Sequence, residues 1–251
     1  MESIVERIYR ENANRKHIEY SRRKRGTLSM IERIRKANSE GRMAIISEYK
    51  RRSPSGFRNT RNTDLREYAH SLMEKGADGI SVLTEPDYFG GSYDDITSIS
   101  DLNIPILGKD FISTREMIRS SFFAGSDMVL IIADFLEPGL LKDLYDYSVS
   151  LGLEVLLEFH DMENLKKIEM MRNMDRIAIG YNRRDLRTMQ VEDGCSFVPD
   201  QGFGVPVIME SGISPENISQ LPLEMFSALL IGSSILENSL DLSIIRNRNG
   251  A

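Results

Sequence analysis

The sequence predicts a (β/α)8 TIM barrel, preceded by a helical extension at the N-terminus. Eight short apolar segments of strand length recur from residue 44 onward, at intervals of about 22 to 35 residues. They are apolar at nearly every position, which is typical of parallel strands that helices cover on both faces. Most intervening segments carry apolar residues at three- and four-residue spacing, which indicates crossover helices. Eight strand–helix units favour a closed barrel over the alternative fold, an open doubly wound sheet.

Residues 1–43 form the predicted extension. They are polar and basic, and the segment "TLSMIERIRKANSEG" places its apolar residues at helical spacing. The barrel is predicted over residues 44–251, so we expect a single domain over 1–251. The basic run "SRRKRG" within the extension is interpreted as a solvated loop, with a partner-binding patch as the alternative.

The predicted strands follow one another along the rest of the chain. They are "AIISEY" from Ala44, "GISVLT" from Gly79, "IPILGKD" from Ile104, "MVLIIA" from Met128, "EVLLEF" from Glu154, "RIAIGYN" from Arg176, "VPVIMES" from Val205 and "ALLIGSS" from Ala228.

Helices are predicted between these strands. The segments with helical spacing are "DLREYAHSLMEKGA" (64–77), "TREMIRSSFFAGS" (114–126), "LLKDLYDYSVSLG" (140–152) and "DMENLKKIEMMRNM" (161–174). Several end in or next to glycine, the preferred residue after a helix. The segment "TMQVEDGCSFVPDQGFG" (188–204) is poor in helix formers, so a shortened helix or a turn is expected there.

The composition excludes several classes of function. Acidic residues outnumber basic ones by 38 to 32, which argues against a nucleic-acid or anionic-membrane partner. No apolar run reaches the ~20 residues of a membrane span. Three histidines and one cysteine form no zinc-type cluster, and neither standard nucleotide-binding loop occurs, so we expect no metal and no cofactor. The N-terminal residues alternate charged and apolar side chains, unlike a secretory signal, and predict a cytoplasmic protein.

Charged residues stand at the ends of four predicted strands. These residues are Glu48, Lys109, Glu158 and Glu210. In a barrel of this kind the chemistry lies at the C-terminal ends of the strands, and a period of two points some of these side chains into the mouth. Lysines and glutamates brought together there shift one another's pKa values, as a general acid and a general base require. The alternative is a set of salt bridges that closes the rim.

The last two strands end in small residues. Ser211 and Gly212 follow the seventh strand, and Gly232 and Ser233 follow the eighth. Small residues allow the backbone to approach an anion, and phosphate groups commonly bind at this place in such barrels, next to the N-terminus of a short helix. The two segments together predict a phosphate subsite.

At these positions the sequence resembles indole-3-glycerol-phosphate synthase, the decarboxylating lyase of tryptophan biosynthesis. "SEYKRRSPSG" is similar to the family's E-x-K-x-x-S-P-S segment, "PILGKDFI" to its K-D-F motif and "IGYNRRDL" to its I-G-x-N-x-R-D-L motif. "ISVLTEPDYFGGSYDDI", "LGLEVLLEFHD", "ESGIS" and "LLIGSSIL" resemble further family segments in the same order. The resemblance implies that the substrate is 1-(2-carboxyphenylamino)-1-deoxyribulose 5-phosphate and the product indole-3-glycerol phosphate, with loss of carbon dioxide and water.

The resemblance also implies catalytic roles. Lys109 matches the general acid that protonates the ketone oxygen, and Glu158 matches the general base. Lys50 matches a lysine that contacts anionic groups of the substrate and assists the dehydration. Glu48 and Asn182 match residues that position the lysines and the sugar hydroxyls.

Further residues are implied as binding residues. Polar substrate contacts are expected from Ser53, Arg184 and Glu210, an apolar slot for the anthranilate ring from Phe89, Phe111, Leu130 and Leu186, and phosphate contacts from Ser211, Gly212, Gly232 and Ser233.

Two other functions fit the pattern less well. A sugar-phosphate isomerase would share the phosphate site but would not need Glu48, Lys50 and Lys109 together. An inactive barrel used as a binding subunit should have lost a charged strand-end residue, and none is missing. A chain with no appended partner domain is expected to act as a monomer.

Overall fold

The computed structural model describes residues 2–12, 15, 22–171, 175–199, 203–242 and 245 of the chain. Eight parallel strands pair in chain order, and the first pairs with the last, so that the sheet closes into a barrel. The strands are β1 Ala44–Tyr49, β2 Gly79–Leu83, β3 Ile106–Lys109, β4 Met128–Ile132, β5 Glu154–Phe159, β6 Ile177–Asn182, β7 Val207–Glu210 and β8 Ala228–Ile231. Each predicted apolar segment contains one strand, and the predicted (β/α)8 TIM barrel is confirmed.

The strands are buried on both faces, as their uniform apolar character predicts. Alternate residues belong to two separate apolar layers. In β1, Ala44 and Ile46 belong to the layer inside the barrel, whereas Ile45 packs under the surrounding helices. Because side chains alternate along a strand, the inward row of each strand leads directly to the side chain at the barrel mouth.

The described α-helices are α1 Ile4–Asn12, α2 Met30–Ser39, α3 Leu65–Glu74, α4 Tyr93–Ile99, α5 Arg115–Ala124, α6 Pro138–Ser150, α7 Leu165–Glu169 and α8 Ser233–Leu236. Asp64, Ser92 and Thr114 begin α3, α4 and α5 by accepting hydrogen bonds from amides of the first turn. The helices predicted over 64–77, 114–126 and 140–152 are confirmed.

The second half of the barrel has shorter crossovers than the pattern predicts. The helix expected over 161–174 is a 3-10 turn, Met162–Asn164, followed by the five-residue α7, and residues 172–174 lie outside the described residues. Between β6 and β7 the described residues form turns, with one isolated bridge between Arg184 and Val191. The prediction of a turn or a shortened helix there agrees with this loop.

The helical extension covers both ends of the barrel. At the N-terminal end, the Glu154 carboxylate accepts hydrogen bonds from the amides of Met30 (2.8 Å) and Ile31 (3.1 Å) and so anchors α2. At the C-terminal end, Asn12 of α1 donates to the Phe111 carbonyl (2.7 Å), and Arg15 pairs with Asp110 (2.8 Å). One helix of the extension therefore closes the base of the barrel, and the other lies beside its mouth.

The basic run in the extension is not a solvated loop over its whole length. Arg23 and Arg25 each pair with the buried Asp127, at 2.9 and 3.1 Å, and both side chains are only 9% exposed. The expectation of a solvated loop or free partner-binding patch is wrong for these two arginines, because a buried carboxylate at the base of β4 binds them. Ser21 of this run lies outside the described residues. No helix in the described ranges is both long and apolar enough to cross a bilayer.

Candidate active site

The inward rows of the strands bring the predicted catalytic side chains together at the mouth. Each of these side chains lies two residues beyond an inward-facing residue of its own strand. They are Glu48 on β1, Lys109 on β3, Glu158 on β5, Asn182 on β6, which follows Gly180 by two residues, and Glu210 on β7. Since all strands are parallel, their C-terminal ends meet at the same end of the barrel. The alternation of the strands thus explains why these five groups converge.

A cavity of about 750 Å³ opens at this end of the barrel. Its volume fits a drug-sized ligand. The predicted site residues that line it are Glu48, Lys50, Ser53, Phe89, Lys109, Phe111, Leu130, Glu158, Asn182, Arg184, Leu186, Ser211, Gly212, Gly232 and Ser233. Glu210 is fully buried and reaches the cavity only through Lys109.

Lys109 lies at the centre of three carboxylates. Its Nζ is 2.5 Å from Glu210 Oε2, 3.5 Å from Glu158 Oε2 and 3.8 Å from Glu48 Oε2. Burial by itself would lower the pKa of Lys109, but the charges of Glu210, Glu158 and Glu48 outweigh burial and raise this pKa above its usual value. Lys109 is therefore a protonated, firmly oriented ammonium that can give a proton to a negative oxygen in the cavity.

Glu210 lies behind Lys109. Burial, and then the charge of Glu158, raise the pKa of Glu210 to about 8 against the opposing charge of Lys109. Its Oε1 is buried and has no hydrogen-bond partner among the described residues. Glu210 therefore binds a proton near neutral pH, because burial and the neighbouring charge of Glu158 make this carboxyl harder to ionise.

This proton should appear in the pH dependence of stability. A carboxyl whose pKa rises from 4.5 to about 8 on folding binds a proton that the unfolded chain releases. The contribution of this bound proton to the free energy of unfolding is complete below pH 4.5 and is lost as the pH rises through 8. We expect the stability of the wild type, relative to Glu210→Gln, to fall between pH 5 and 8 in urea unfolding series. A difference that stays constant over this range would contradict the assignment.

Glu48 and Lys50 form the second charged pair of the mouth. Lys50 Nζ donates to Glu48 Oε1 at 2.6 Å and lies 5.2 Å from the centre of the Phe57 ring. Burial raises the pKa of Glu48, but the charges of Lys50 and Lys109 outweigh it and hold this pKa below its usual value. Glu48 therefore stays ionised between the two lysines and sets their separation.

Asn182 connects Glu158 to the loop after β6. Its Nδ2 donates to Glu158 Oε1 at 2.9 Å, and its Oδ1 accepts from the Arg184 amide at 2.9 Å. Arg184 itself donates from Nη1 to the Met189 carbonyl at 2.7 Å, and burial lowers the pKa of this guanidinium. Arg184 thus stabilises its own loop while it also lines the cavity.

Apolar side chains form one wall of the cavity. The rings of Phe89 and Phe111 lie 5.7 Å apart, and Leu130 and Leu186 complete the predicted slot. The extension adds a contact that the sequence did not predict, because Val5 of α1 also lines the cavity. Its apolar character and helical spacing are visible in the sequence, but its position depends on how α1 docks.

Backbone segments after β7 and after β8 also line the cavity. Ser211 and Gly212 both have φ of 67°, in the left-handed region. The Ile213 carbonyl accepts from the Ser234 hydroxyl at 2.7 Å, and the Gly212 carbonyl accepts from Asn217 at 2.6 Å. The amides of Gly212 and Ile213 donate to no acceptor in the described part of the chain. The segment therefore keeps free donors for an anion, whereas α8, with four residues, is too short to supply a helix dipole.

Gly232 has a second role that the sequence did not indicate. A Cβ on this residue would lie 2.6 Å from Glu48 Oε1 and 3.1 Å from Lys50 Nζ. We expect Gly232→Ala to lower kcat about tenfold and to raise KM, because the added methyl displaces this pair as well as the anion. Gly139→Ala is the control, since a Cβ there meets nothing within 4 Å. An unchanged kcat with a raised KM would show that the pair tolerates the methyl group.

Comparisons with known proteins show the family of this chain. The sequence model of indole-3-glycerol phosphate synthase matches residues 2–246. The indole-3-glycerol phosphate synthase of Picrophilus torridus is 44% identical over 237 residues, which cover 94% of this chain and 92% of the relative. The enzyme of the same name from Thermoplasma volcanium is 41% identical over 230 residues, 92% of each chain.

Solved structures support the fold alone. The tryptophan synthase alpha chain of Legionella pneumophila superposes with a TM-score of 0.56 at 12% identity, over 84% of this chain and 87% of that one. The sequence matches, by contrast, extend over nearly the whole chain, and the two relatives are 44% and 41% identical. The chain therefore belongs to the indole-3-glycerol phosphate synthase family.

Proposed function

We propose that this protein closes the indole ring of indole-3-glycerol phosphate, starting from 1-(2-carboxyphenylamino)-1-deoxyribulose 5-phosphate. The observation that carries the proposal is the ammonium of Lys109, which three carboxylates hold at the floor of the cavity. Apolar side chains and a segment with free amides also line this cavity. The substrate has the same three parts, which are a flat ring, a reactive ketone and a phosphate.

The first step forms the carbon–carbon bond. The ring carbon that bears the carboxylate attacks the ketone carbon, and the electron pair of the carbonyl moves to its oxygen. Lys109 gives its proton to this oxygen, which becomes a hydroxyl. Loss of carbon dioxide then returns an electron pair to the ring and restores its aromaticity. A preorganised cation next to a developing alkoxide is among the largest sources of rate enhancement in enzymes.

The second step removes water. The new hydroxyl leaves with a proton, and another proton leaves the five-membered ring. Glu158 is the base for the ring proton, because its Oε2 faces Lys109 and its Oε1 is held by Asn182. Lys50, held by Glu48 on the other side of the mouth, assists the departure of the hydroxyl and contacts the anionic groups of the substrate.

The substrate-binding residues also fall into groups, and each group contacts a different part of the substrate. The anthranilate ring packs against Phe89, Phe111, Leu130 and Leu186, because a flat apolar group is bound best in a desolvated slot. Ser53 and Arg184 line the polar rim, and Glu210 acts through Lys109. The phosphate binds at Ser211, Gly212, Gly232 and Ser233.

The test is turnover by the purified protein. It receives the anthranilate-linked deoxyribulose phosphate with no cofactor and with a metal chelator present, and indole fluorescence is followed. Appearance of the fluorescent product supports the proposal. Absence of product from the folded protein would refute it and would favour an inactive barrel.

We also propose that the protein acts as a monomer in the cytoplasm, with neither nucleic acid nor membrane as a partner. The net charge of −6 argues against a nucleic-acid or anionic-membrane partner, and no described helix is long and apolar enough to cross a membrane. Light scattering of the purified protein should give the mass of one chain, and a larger mass would overturn the monomer.

A further inference from the structure

Arg183 is the largest of the fully buried side chains in the described part of the molecule. It follows Asn182 at the end of β6 and lines the cavity next to Gly212. The motif I-G-x-N-x-R-D-L, which this segment resembles, leaves the position of Arg183 open. A buried arginine is rarely retained without a partner for its charge.

The guanidinium of Arg183 is bound mainly by backbone carbonyls. Its Nε donates to the Gly194 carbonyl at 2.6 Å, and its Nη2 donates to the Glu192 carbonyl at 2.9 Å. The one carboxylate oxygen paired with it among the described residues is Glu192 Oε1, 3.8 Å from Nε, beyond hydrogen-bond distance. That oxygen already accepts from the Tyr181 hydroxyl at 2.6 Å. The positive charge of Arg183 is therefore only partly compensated.

The remaining donor of Arg183 orients the segment after β7. Its Nη1 donates to the Gly212 carbonyl at 3.1 Å and to the Ser211 carbonyl at 3.4 Å. In a trans peptide the N–H points opposite to the carbonyl of the preceding residue. Because both carbonyls face Arg183, the amides of Gly212 and Ile213 point away from it, and they donate to no described acceptor. Both residues line the cavity.

We propose that Arg183 is the positioning residue of the phosphate subsite and the source of its positive charge. The guanidinium holds the carbonyls of Ser211 and Gly212, so that the amides of Gly212 and Ile213 face the anion. Because Arg183 is buried beside this segment, its charge attracts the phosphate at short range. Lys50, near Gly232, is another cation beside this subsite, but Glu48 pairs with it at 2.6 Å. This inference rests on the proposed function for the identity of the phosphorylated ligand.

The experiment uses inorganic phosphate as the probe, with the full-length protein. Its dissociation constant is measured by calorimetry and by the phosphate-dependent rise of the melting temperature. We expect Arg183→Met to raise this constant tenfold or more and to raise KM, with kcat at saturating substrate within about threefold of wild type. Arg183→Lys keeps the charge, but a lysine cannot donate both to the Gly194 and Glu192 carbonyls and to the Ser211 and Gly212 carbonyls. We therefore expect this variant to raise the dissociation constant of phosphate threefold or more.

Arg23→Met is the matched control for lost stability. Arg23 is a nearly buried arginine that donates to the carbonyls of Phe122 and Ser126 at the opposite end of the barrel. Its replacement should lower the melting temperature while leaving the dissociation constant of phosphate unchanged. A substrate without the phosphate should react with wild type and Arg183→Met at the same kcat/KM, because only the phosphate senses Arg183.

The outcomes are distinguishable. The inference is overturned if a folded Arg183→Met variant binds phosphate with a dissociation constant within twofold of that of the wild type. It is also overturned if Arg23→Met weakens phosphate binding as much as Arg183→Met does. If Arg183→Met fails to fold, an unchanged constant in Arg183→Lys overturns it instead. Phosphate binding does not require turnover, so a wild type that binds phosphate but forms no product refutes the proposed function alone.

Discussion

Replacing Lys109 by methionine is expected to lower kcat by ~10² or more while the barrel stays folded. Methionine keeps the length and bulk of the side chain but removes the proton donor. The ammonium is also the cation that Glu210 and Glu158 share, at 2.5 and 3.5 Å. Without it Glu210 keeps only the influences that raise its pKa, which are burial and the charge of Glu158, so Glu210 takes up a proton and the barrel stays folded.

Lys167→Met is the matched control for this substitution. Lys167 is a half-buried lysine whose Nζ donates to the carbonyls of Ala133 (3.0 Å) and Leu136 (2.9 Å), outside the cavity. Its replacement should leave kcat within about twofold of wild type. Steady-state kinetics and thermal unfolding of both variants provide the comparison. If Lys109→Met kept more than a tenth of the wild-type kcat, Lys109 would not be the general acid.

The parts of the site that could be predicted from the sequence are those that depend on strand alternation. Glu48, Lys109, Glu158 and Glu210 end apolar strands, and a period of two together with parallel pairing is enough to bring their side chains to one place. No long-range docking has to be known for this inference. The strands themselves could also be predicted from the sequence, and β1 and β5 coincide with the predicted segments.

The features that could not be predicted depend on contacts between distant segments. Val5 reaches the cavity only because Asn12 and Arg15 attach the extension to the end of β3. Arg23 and Arg25 look like a solvated basic run in the sequence, and only the position of Asp127 buries them. No local pattern carries this information, because each contact joins residues about a hundred positions apart.

Gly232 shows a further limit of sequence reasoning. A glycine in this segment suggests close approach of the backbone to an anion. The structure adds that the space beside Gly232 is occupied by the Glu48–Lys50 pair. The proposed phosphate subsite therefore shares Gly232 with the second charged pair, and a substitution at Gly232 cannot test that subsite alone. Arg183, on the other side of this subsite, offers a cleaner test.

Glu158→Gln is expected to lower kcat by ~10² or more, with a smaller effect on KM, because the amide keeps the shape but cannot accept a proton. The structure gives a second reason. Glu158 accepts hydrogen bonds from Asn182 at Oε1 and from Lys109 at Oε2, whereas glutamine has one acceptor and one donor. Asn182 cannot turn its amide to compensate without losing the hydrogen bond that its Oδ1 accepts from the Arg184 amide. The variant therefore removes the base and also releases either Lys109 or Asn182.

Glu154→Gln tests whether the loss in Glu158→Gln reflects chemistry or only a lost buried carboxylate on β5. Glu154 is a buried carboxylate at the other end of the same strand, where it accepts from the amides of Met30 and Ile31. Its replacement should lower the melting temperature because the anchor of α2 weakens, yet kcat should change by less than about twofold. The two variants thus separate stability from turnover along one strand. If Glu158→Gln changed KM alone and kept the wild-type kcat, Glu158 would be a binding residue. The proton from the new ring would then have to leave through Glu48, the other described carboxylate that lies within 4 Å of Lys109 and lines the cavity.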